Sequence, residues 1–79
     1  MTAKKIRRNL YRVLRKTGVP RQFIADDAGL KDELLQDDID MICFLFYLET
    51  NFHVEVKTND IEELSSVKST IAYLQRHCA

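Results

Sequence analysis

The sequence has few of the residues on which turns, disulfide frameworks and membrane spans depend. Two glycines and one proline among 79 residues supply too few turns for an all-β sandwich or barrel, so a helical fold is favoured. Two cysteines are too few for a disulfide scaffold, and the longest uncharged apolar run, residues 41–48, is far below the roughly 20 residues of a membrane span. No secretory signal pattern opens the chain. We therefore expect a single domain, residues 1–79, in the reducing cytoplasm.

Motifs for catalysis and metal binding are also missing. Two glycines cannot build a Gly-rich phosphate loop. The four potential zinc ligands, Cys43, His53, His77 and Cys78, form no C-x-x-C or H-x-x-x-H pair. Because Cys43 lies inside an apolar stretch, we expect a small buried side chain rather than a nucleophile. The sequence predicts neither an enzyme nor a metal site.

Acidic residues are absent from the first 25 positions. Eight of the 12 basic residues lie there, and residues 26–79 hold the other four with all 12 acidic residues, a formal charge of −8. This polarity is typical of an arm that binds nucleic acid or an anionic membrane, but it also suits a basic helix docked on an acidic part of the same molecule. The second interpretation is favoured because apolar residues recur at helical spacing within the basic segment.

Helical patterns are clear at both ends of the chain. The first predicted helix has an apolar stripe of Ile6, Leu10, Val13 and Leu14 and a basic stripe of Lys5, Arg8, Arg12 and Arg15. We expect Gly18 to end it. The last predicted helix follows a cap at Ser65 and Ser66, and its apolar face consists of Val67, Thr70, Ile71 and Leu74.

The middle of the chain is less regular. Residues 19–37 show no period and predict a long loop, pinned to the core by Phe23, Ile24, Leu30, Leu34 and Leu35. Asp37, Asp38 and Asp40 suit the cap and first turn of a second helix, although the apolar run alone could also be a strand. Val54 and Val56 give a weak strand signal, and residues 58–60 predict a cap for a short third helix over residues 61–64.

This order of elements, together with residues 29–40, resembles the acyl carrier protein family. The segment Gly-Leu-Lys-Asp-Glu-Leu-Leu-Gln-Asp-Asp-Ile-Asp is similar to the family's approximate Ser-Phe-x-x-Asp-Leu-Gly-x-Asp-Ser-Leu-Asp. Matches in kind are Leu30, Glu33, Leu34, Asp37, Ile39, Asp40, Leu45, Leu48, Glu49, Phe52, Val54-Glu55-Val56, Leu64-Ser65-Ser66-Val67, Ile71, Tyr73 and Leu74. The resemblance implies an all-α four-helix bundle with a long loop between its first two helices and a short third helix.

One departure from the family bears directly on function. Family members carry 4′-phosphopantetheine on the serine that opens the second helix, and the resemblance places Asp38 there. A carboxylate attacking the same phosphate of coenzyme A would form an acyl phosphate, which hydrolyses readily, whereas Asp caps a helix as well as Ser does. Ser65 and Ser66 lie outside the Asp-Ser-Leu context, and Leu35 replaces a loop glycine. We expect the fold without the cofactor.

The resemblance also implies a partner-binding side on the second helix. It turns Phe44, Leu45, Leu48 and Phe52 inward. The side where carrier proteins meet their enzymes then holds Ile39, Ile42 and Phe46, flanked by Asp37, Asp40 and Glu49. Two interpretations stay open: a docking face more apolar than usual, or a helix that is simply more buried. Cys43 stands where the family often has an acidic residue.

Three functions follow from these observations. The first is a monomeric, carrier-like interaction protein without a prosthetic group, docking on or regulating a fatty-acid, polyketide or related biosynthetic enzyme. The second is a genuine acyl or peptidyl carrier with an atypical attachment site, and Asp38 counts against it. The third is a nucleic-acid or membrane-surface binder that uses the basic helix. It ranks last because Tyr11 is the only aromatic residue among the cations, and no nucleic-acid partner is expected.

Overall fold

The structure, a computed structural model, describes residues 2–77 and consists of helices joined by irregular segments. The regular helices are α1 (Ala3–Thr17), α2 (Asp38–Phe52) and α3 (Val67–His77), and a 3-10 helix, Thr58–Leu64, lies between the last two. The α1–α2 connection contains a 3-10 turn, Arg21–Phe23, and a π-helical turn, Leu30–Leu34. The predicted all-α four-helix architecture, with a long first connection and a short third helix, is confirmed. Within residues 2–77, every helix is too short or too polar to span a lipid bilayer.

Helix α1 forms because one side is wholly apolar and both ends are capped. Its four predicted apolar residues are fully buried. At the N-terminus, the Thr2 hydroxyl oxygen accepts a hydrogen bond from the Lys5 amide at 3.3 Å. At the C-terminus, Gly18 adopts a left-handed conformation with φ 112°, and the Val19 amide donates to the Leu14 carbonyl at 3.1 Å. Glycine suits this position because other residues are strained at such a φ.

The core lies where α1, α2 and α3 meet. Its buried apolar residues are Ile6, Leu10, Val13, Leu14, Val19, Ile24, Ala28, Leu30, Leu35, Phe44, Leu48, Phe52, Leu64, Val67, Ile71, Tyr73 and Leu74. Tyr73 places its ring in this core, and its hydroxyl donates to the Asp60 carboxylate at 3.0 Å. Burial, reinforced by that hydrogen bond, raises the pKa of Tyr73 to about 12.

The long connection packs on the core through fewer side chains than predicted. Ile24, Leu30 and Leu35 are buried and Leu34 is partly buried, but Phe23 is 60% exposed, so its predicted role as a core anchor is wrong. Phe23 ends the 3-10 turn, and the extended residue after it, Ile24, takes the inward position.

The second half of the connection is tied to the beginning of α3 by backbone hydrogen bonds. The amide of Leu30 donates to the Ser65 carbonyl at 2.9 Å, and the amide of Val67 donates to the Ala28 carbonyl at 3.0 Å. The amide of Lys68 donates to the Asp26 carbonyl at 2.8 Å. The bonds from Val67 and Lys68 satisfy amides of the first turn of α3, which have no partner within their own helix.

The predicted cap of α3 is confirmed at Ser66. Its hydroxyl oxygen accepts from the Ser69 amide at 3.1 Å, and the Ser69 hydroxyl accepts in return from the Ser66 amide at 2.9 Å. This reciprocal pair is a capping box in which serine replaces the usual Glu or Gln. The predicted apolar face of α3 is buried throughout.

The segment after α2 differs from prediction in two ways. Val54 and Val56 are partly buried on the core but form no strand, because the elements around them in residues 2–77 are helices that offer no edge to pair with. The third helix begins at Thr58 rather than at residue 61, and it is a 3-10 helix. Lys57 occupies the cap position, without a side-chain cap bond.

Candidate docking face

The start of α2 concentrates negative charge at the positive end of the helix dipole. Asp37 occupies the cap position, Asp38 is the first helical residue and Asp40 completes the first turn. The Asp37 side chain forms no cap hydrogen bond, so these carboxylates act on the helix through charge rather than through capping bonds. The expectation that Asp38 itself caps α2 is therefore wrong. Its side chain is exposed to solvent.

The side of α2 opposite the core is apolar and exposed. Phe44, Leu48 and Phe52 face the core, and Leu45 is partly buried against it. On the other side, the exposed fractions are 74% for Ile39, 66% for Ile42 and 64% for Phe46. We call these three residues the apolar row. They follow one another at i, i+3 and i+7, which places them along one line of the helix.

Cys43 lies beside the apolar row and is exposed. The expectation of a buried cysteine is wrong, because apolar neighbours in sequence do not determine which side of α2 faces inward. No three potential metal ligands come together within residues 2–77, and Cys78 lies outside the described residues.

Glu49 has a structural contact that the sequence did not predict. Its carboxylate oxygen Oε2 accepts a hydrogen bond from the Val56 amide at 3.0 Å, and the residue is partly buried. Glu49 therefore holds the segment that follows α2 against the helix. Asp40 is likewise partly buried, whereas Asp37 is exposed. Asp37 is thus a freer negative charge at the edge of the apolar row than Glu49.

A second surface lies on α1 and includes a residue, Arg21, that helical spacing in the sequence did not predict. A shallow groove is lined by Arg8, Tyr11, Arg12, Arg15, Lys16 and Arg21. Arg21 belongs to the turn after α1, and only the reversal of the chain at Gly18 brings it back beside the helix. The groove is bordered at Tyr11 by Asp26, whose carboxylate accepts from the Tyr11 hydroxyl at 3.0 Å and pairs with Arg7 at 2.9 Å.

An apolar row exposed on one helix of a small helical bundle is typical of a surface that contacts another protein. No protein-family model matches the chain. It is 30% identical over 67 residues to the acyl carrier protein of Syntrophobacter fumaroxidans, covering 85% of this chain and 83% of that relative. It is 30% identical over 61 residues to the acyl carrier protein of Thermotoga maritima, covering 77% and 75%. The acyl carrier protein of Chloroherpeton thalassium is 28% identical over 75 residues, 94% of each chain.

The chain belongs to the acyl carrier protein family. The relatives are named as carriers and not as enzymes, in agreement with the prediction that this protein is not an enzyme. The similarity extends over most of the chain and includes the candidate docking face.

Proposed function

We propose that this protein is a carrier-like interaction protein that holds no phosphopantetheine and docks on, or regulates, a fatty-acid, polyketide or related biosynthetic enzyme. The observation that carries the proposal is the apolar row, which is exposed on α2 immediately after Asp38. Asp38 takes the position that the family resemblance assigns to the attachment serine.

The residues at the start of α2 do not fit a phosphopantetheine group. Attachment needs a hydroxyl oxygen, and residues 35–41 contain no serine, threonine or tyrosine. The carboxylate of Asp38 would also repel the phosphate, whereas the acids at Asp37 and Asp40 belong to the family pattern. Of the two serines considered as substitutes, Ser66 caps α3, and Ser65 is exposed at the end of the 3-10 helix, outside the start of α2. This chemistry supports a protein that is recognised by partners without carrying a substrate.

The apolar row supports docking because it has no role in the core. Fully burying one large apolar side chain is worth about 1.5–3 kcal/mol, so three of them can supply much of the affinity of a modest interface. Asp37 at the edge of the row favours a partner surface that combines an apolar pocket with basic residues.

The absence of the prosthetic group can be tested by intact mass spectrometry. The parent protein and Asp38→Ser are each incubated with coenzyme A and a broad-specificity phosphopantetheinyl transferase. We expect no change in the mass of the parent, because it lacks the acceptor hydroxyl. Asp38→Ser creates an Asp-Ser-Ile-Asp sequence, close to the family's Asp-Ser-Leu-Asp, and is the variant expected to gain the group. An adduct on the parent would contradict the proposal.

The docking part is tested by binding to purified fatty-acid and polyketide synthase components. We expect Ile42→Ser combined with Phe46→Ser to weaken binding to the recognised component at least about tenfold, since both side chains lose apolar contact area. Gln75→Ala, an exposed substitution on α3, is the matched control and should leave binding unchanged. Equal weakening by the control would rule out the apolar row as the docking surface.

A second candidate function, a genuine carrier with an atypical attachment site, is favoured by one observation. A shallow recess beside α2 has an apolar floor of Met41, Ile61 and Leu64 that could shelter a short acyl chain. Its other lining residues are polar or charged: Lys31, Asp32, Glu62 and Ser65. The mass measurement on the parent protein separates the two functions, because only a carrier gains the prosthetic group.

A further inference from the structure

The outward face of α1 is a strongly basic surface with no acidic residue in its lining. Its cations are Arg8, Arg12, Arg15, Lys16 and Arg21, all exposed, and they surround the partly buried Tyr11. We call this set the basic groove. The core needs only the opposite side of α1, so stability of the fold does not account for these charges.

Within residues 2–77, the cations of the basic groove form no ion pair with a carboxylate. The two ion pairs formed by residues 2–77 join Arg7 to Asp26 and Arg76 to Glu63. Neither involves a groove cation. Concentrating like charges in this way is unfavourable for the isolated protein, and an anionic partner would relieve it.

The chemistry of the groove favours protein carboxylates over other anions. Four of its five cations are arginines, whose planar guanidinium groups can pair with a carboxylate through two parallel hydrogen bonds. Arg8, Arg12 and Arg15 follow one another at i, i+4 and i+7 and span about 10 Å of the helix axis. On any helix, residues three and four positions apart lie on the same side, so a partner helix with carboxylates at that spacing can match these arginines.

Phe23 extends the surface with an apolar contact. It is 60% exposed and shares the 3-10 turn with Arg21. Arginine and aromatic side chains together are the residues enriched in protein interfaces, where they supply most of the binding energy.

Nucleic acid and membrane fit these observations less well. Base stacking needs an accessible ring, but Tyr11 is partly buried and its hydroxyl is held by Asp26. Attraction to an anionic membrane depends on the number of charges and does not select arginine over lysine.

We propose that the basic groove of α1 is a second docking surface and that its partner is an acidic helix of another protein, with carboxylates spaced three and four residues apart. The protein would then connect two partners, one through the apolar row of α2 and one through the basic groove of α1. This inference does not depend on the enzyme docking proposed for α2.

The test uses a synthetic alanine-based helical peptide with glutamates at this spacing, titrated into the full chain at physiological ionic strength. We expect binding that weakens about tenfold when Arg8→Lys, Arg12→Lys and Arg15→Lys are combined, because lysine keeps the charge but loses the paired hydrogen bonds. The control combines Lys31→Gln, Lys57→Gln and Lys68→Gln, which removes three exposed charges outside the groove and should change the dissociation constant less than about twofold. Circular dichroism verifies that both variants keep the helical fold.

Three results would overturn the proposal. The first is equal binding by the parent and the lysine variant, which indicates diffuse charge attraction. The second is no binding of the peptide by the parent. The third is tighter binding of an RNA oligonucleotide or of phosphatidylserine vesicles than of the peptide.

Discussion

Helices α1 and α2 have the same length, 15 residues, but distribute their apolar side chains differently. On α1 the fully buried residues form one stripe, and the opposite side is charged. On α2, Phe44 and Leu48 are fully buried while Ile42 and Phe46 stand in solvent on the other side. The core explains all the large aliphatic side chains of α1, but it leaves three large apolar residues of α2 exposed, Ile39, Ile42 and Phe46. The residues that do not contribute to the core are charged on α1 and apolar on α2. The two helices therefore favour different kinds of partner.

Substitutions on the buried sides of α1 and α2 should have the largest effects on the free energy of unfolding, because both helices contribute to the core in the same way. We expect Phe44→Ala to lower the free energy of unfolding by about 3–5 kcal/mol and Leu10→Ala by about 2–5 kcal/mol, because each leaves a cavity in the core. Phe46→Ala and Arg12→Ala, on the outward sides, should change it by less than about 0.5 kcal/mol. Urea denaturation measures all four. A loss of 2 kcal/mol or more, roughly the cost of a core truncation, in Phe46→Ala would mean that the apolar row supports the fold after all.

The C-terminal ends of the helices should respond in opposite directions. Both end on a left-handed residue, Gly18 at φ 112° and His53 at φ 54°. Gly18→Ala should lower the free energy of unfolding by about 1–2 kcal/mol through backbone strain alone, since no atom lies within 4 Å of the added Cβ. His53→Gly should raise it by about 0.5 kcal/mol because glycine removes the same kind of strain. Thermal denaturation of the pair, with His53→Ala as control, tests the contrast; a destabilised His53→Gly variant would contradict it.

Two tyrosines should make the protein less stable at alkaline pH. Burial, followed by the hydrogen bond to Asp26, raises the pKa of Tyr11 on α1, and the pKa of Tyr73 on α3 is about 12. In the unfolded chain both phenols ionise near pH 10, so the native state holds their protons more tightly. The stabilising contribution of each phenol is complete below about pH 10. That of Tyr73 is lost as the pH rises toward about 12, and that of Tyr11 is lost as the pH rises through its own raised pKa.

The measurement is the free energy of unfolding as a function of pH. Tyr73→Phe should reduce its decline between about pH 10 and pH 12, and Tyr11→Phe should reduce it less. At neutral pH each variant loses one hydrogen bond, worth about 1 kcal/mol. An unchanged alkaline decline in Tyr73→Phe would show that other groups cause it.

The smallest effect is expected at the N-terminus of α2. Asp38→Ser should change the free energy of unfolding by less than about 0.5 kcal/mol. The Asp38 side chain is exposed and lies after the cap position, so it contributes only its charge to the first turn of α2. Thr2→Ala on α1, which removes an observed cap bond, should cost more, about 0.5–1 kcal/mol. Chemical denaturation of both variants decides the order; the reverse order would assign Asp38 a structural role.

Local signals predicted the C-terminal end of α1 and the beginning of α3. Gly18 and Ser66 act through bonds to residues a few positions away, so the sequence around them contains the whole interaction. Burial was harder to predict where it depends on distant parts of the chain. The apolar run of α2 shows no single stripe, which is why Cys43 was wrongly expected to be buried, and the inward side of α2 followed from the family resemblance rather than from spacing. The prediction for Phe23 was wrong for a similar reason. Hydrophobicity indicates that a residue favours the core, but it does not show whether the backbone turn lets the side chain reach it.

The backbone bonds from residues 26–30 to residues 65–68 also constrain the order of folding. About half of the chain separates the two segments, so these bonds must close a long loop and are slower to form than contacts between sequence neighbours. During synthesis, a nascent chain that stops before Val67 lacks one side of this junction, and the domain can complete folding only once the last helix has left the ribosome. In the finished protein the amides of Leu30, Val67 and Lys68 should exchange with deuterium more slowly than those of the exposed ends of the long connection, because each is bonded to a segment distant in the sequence.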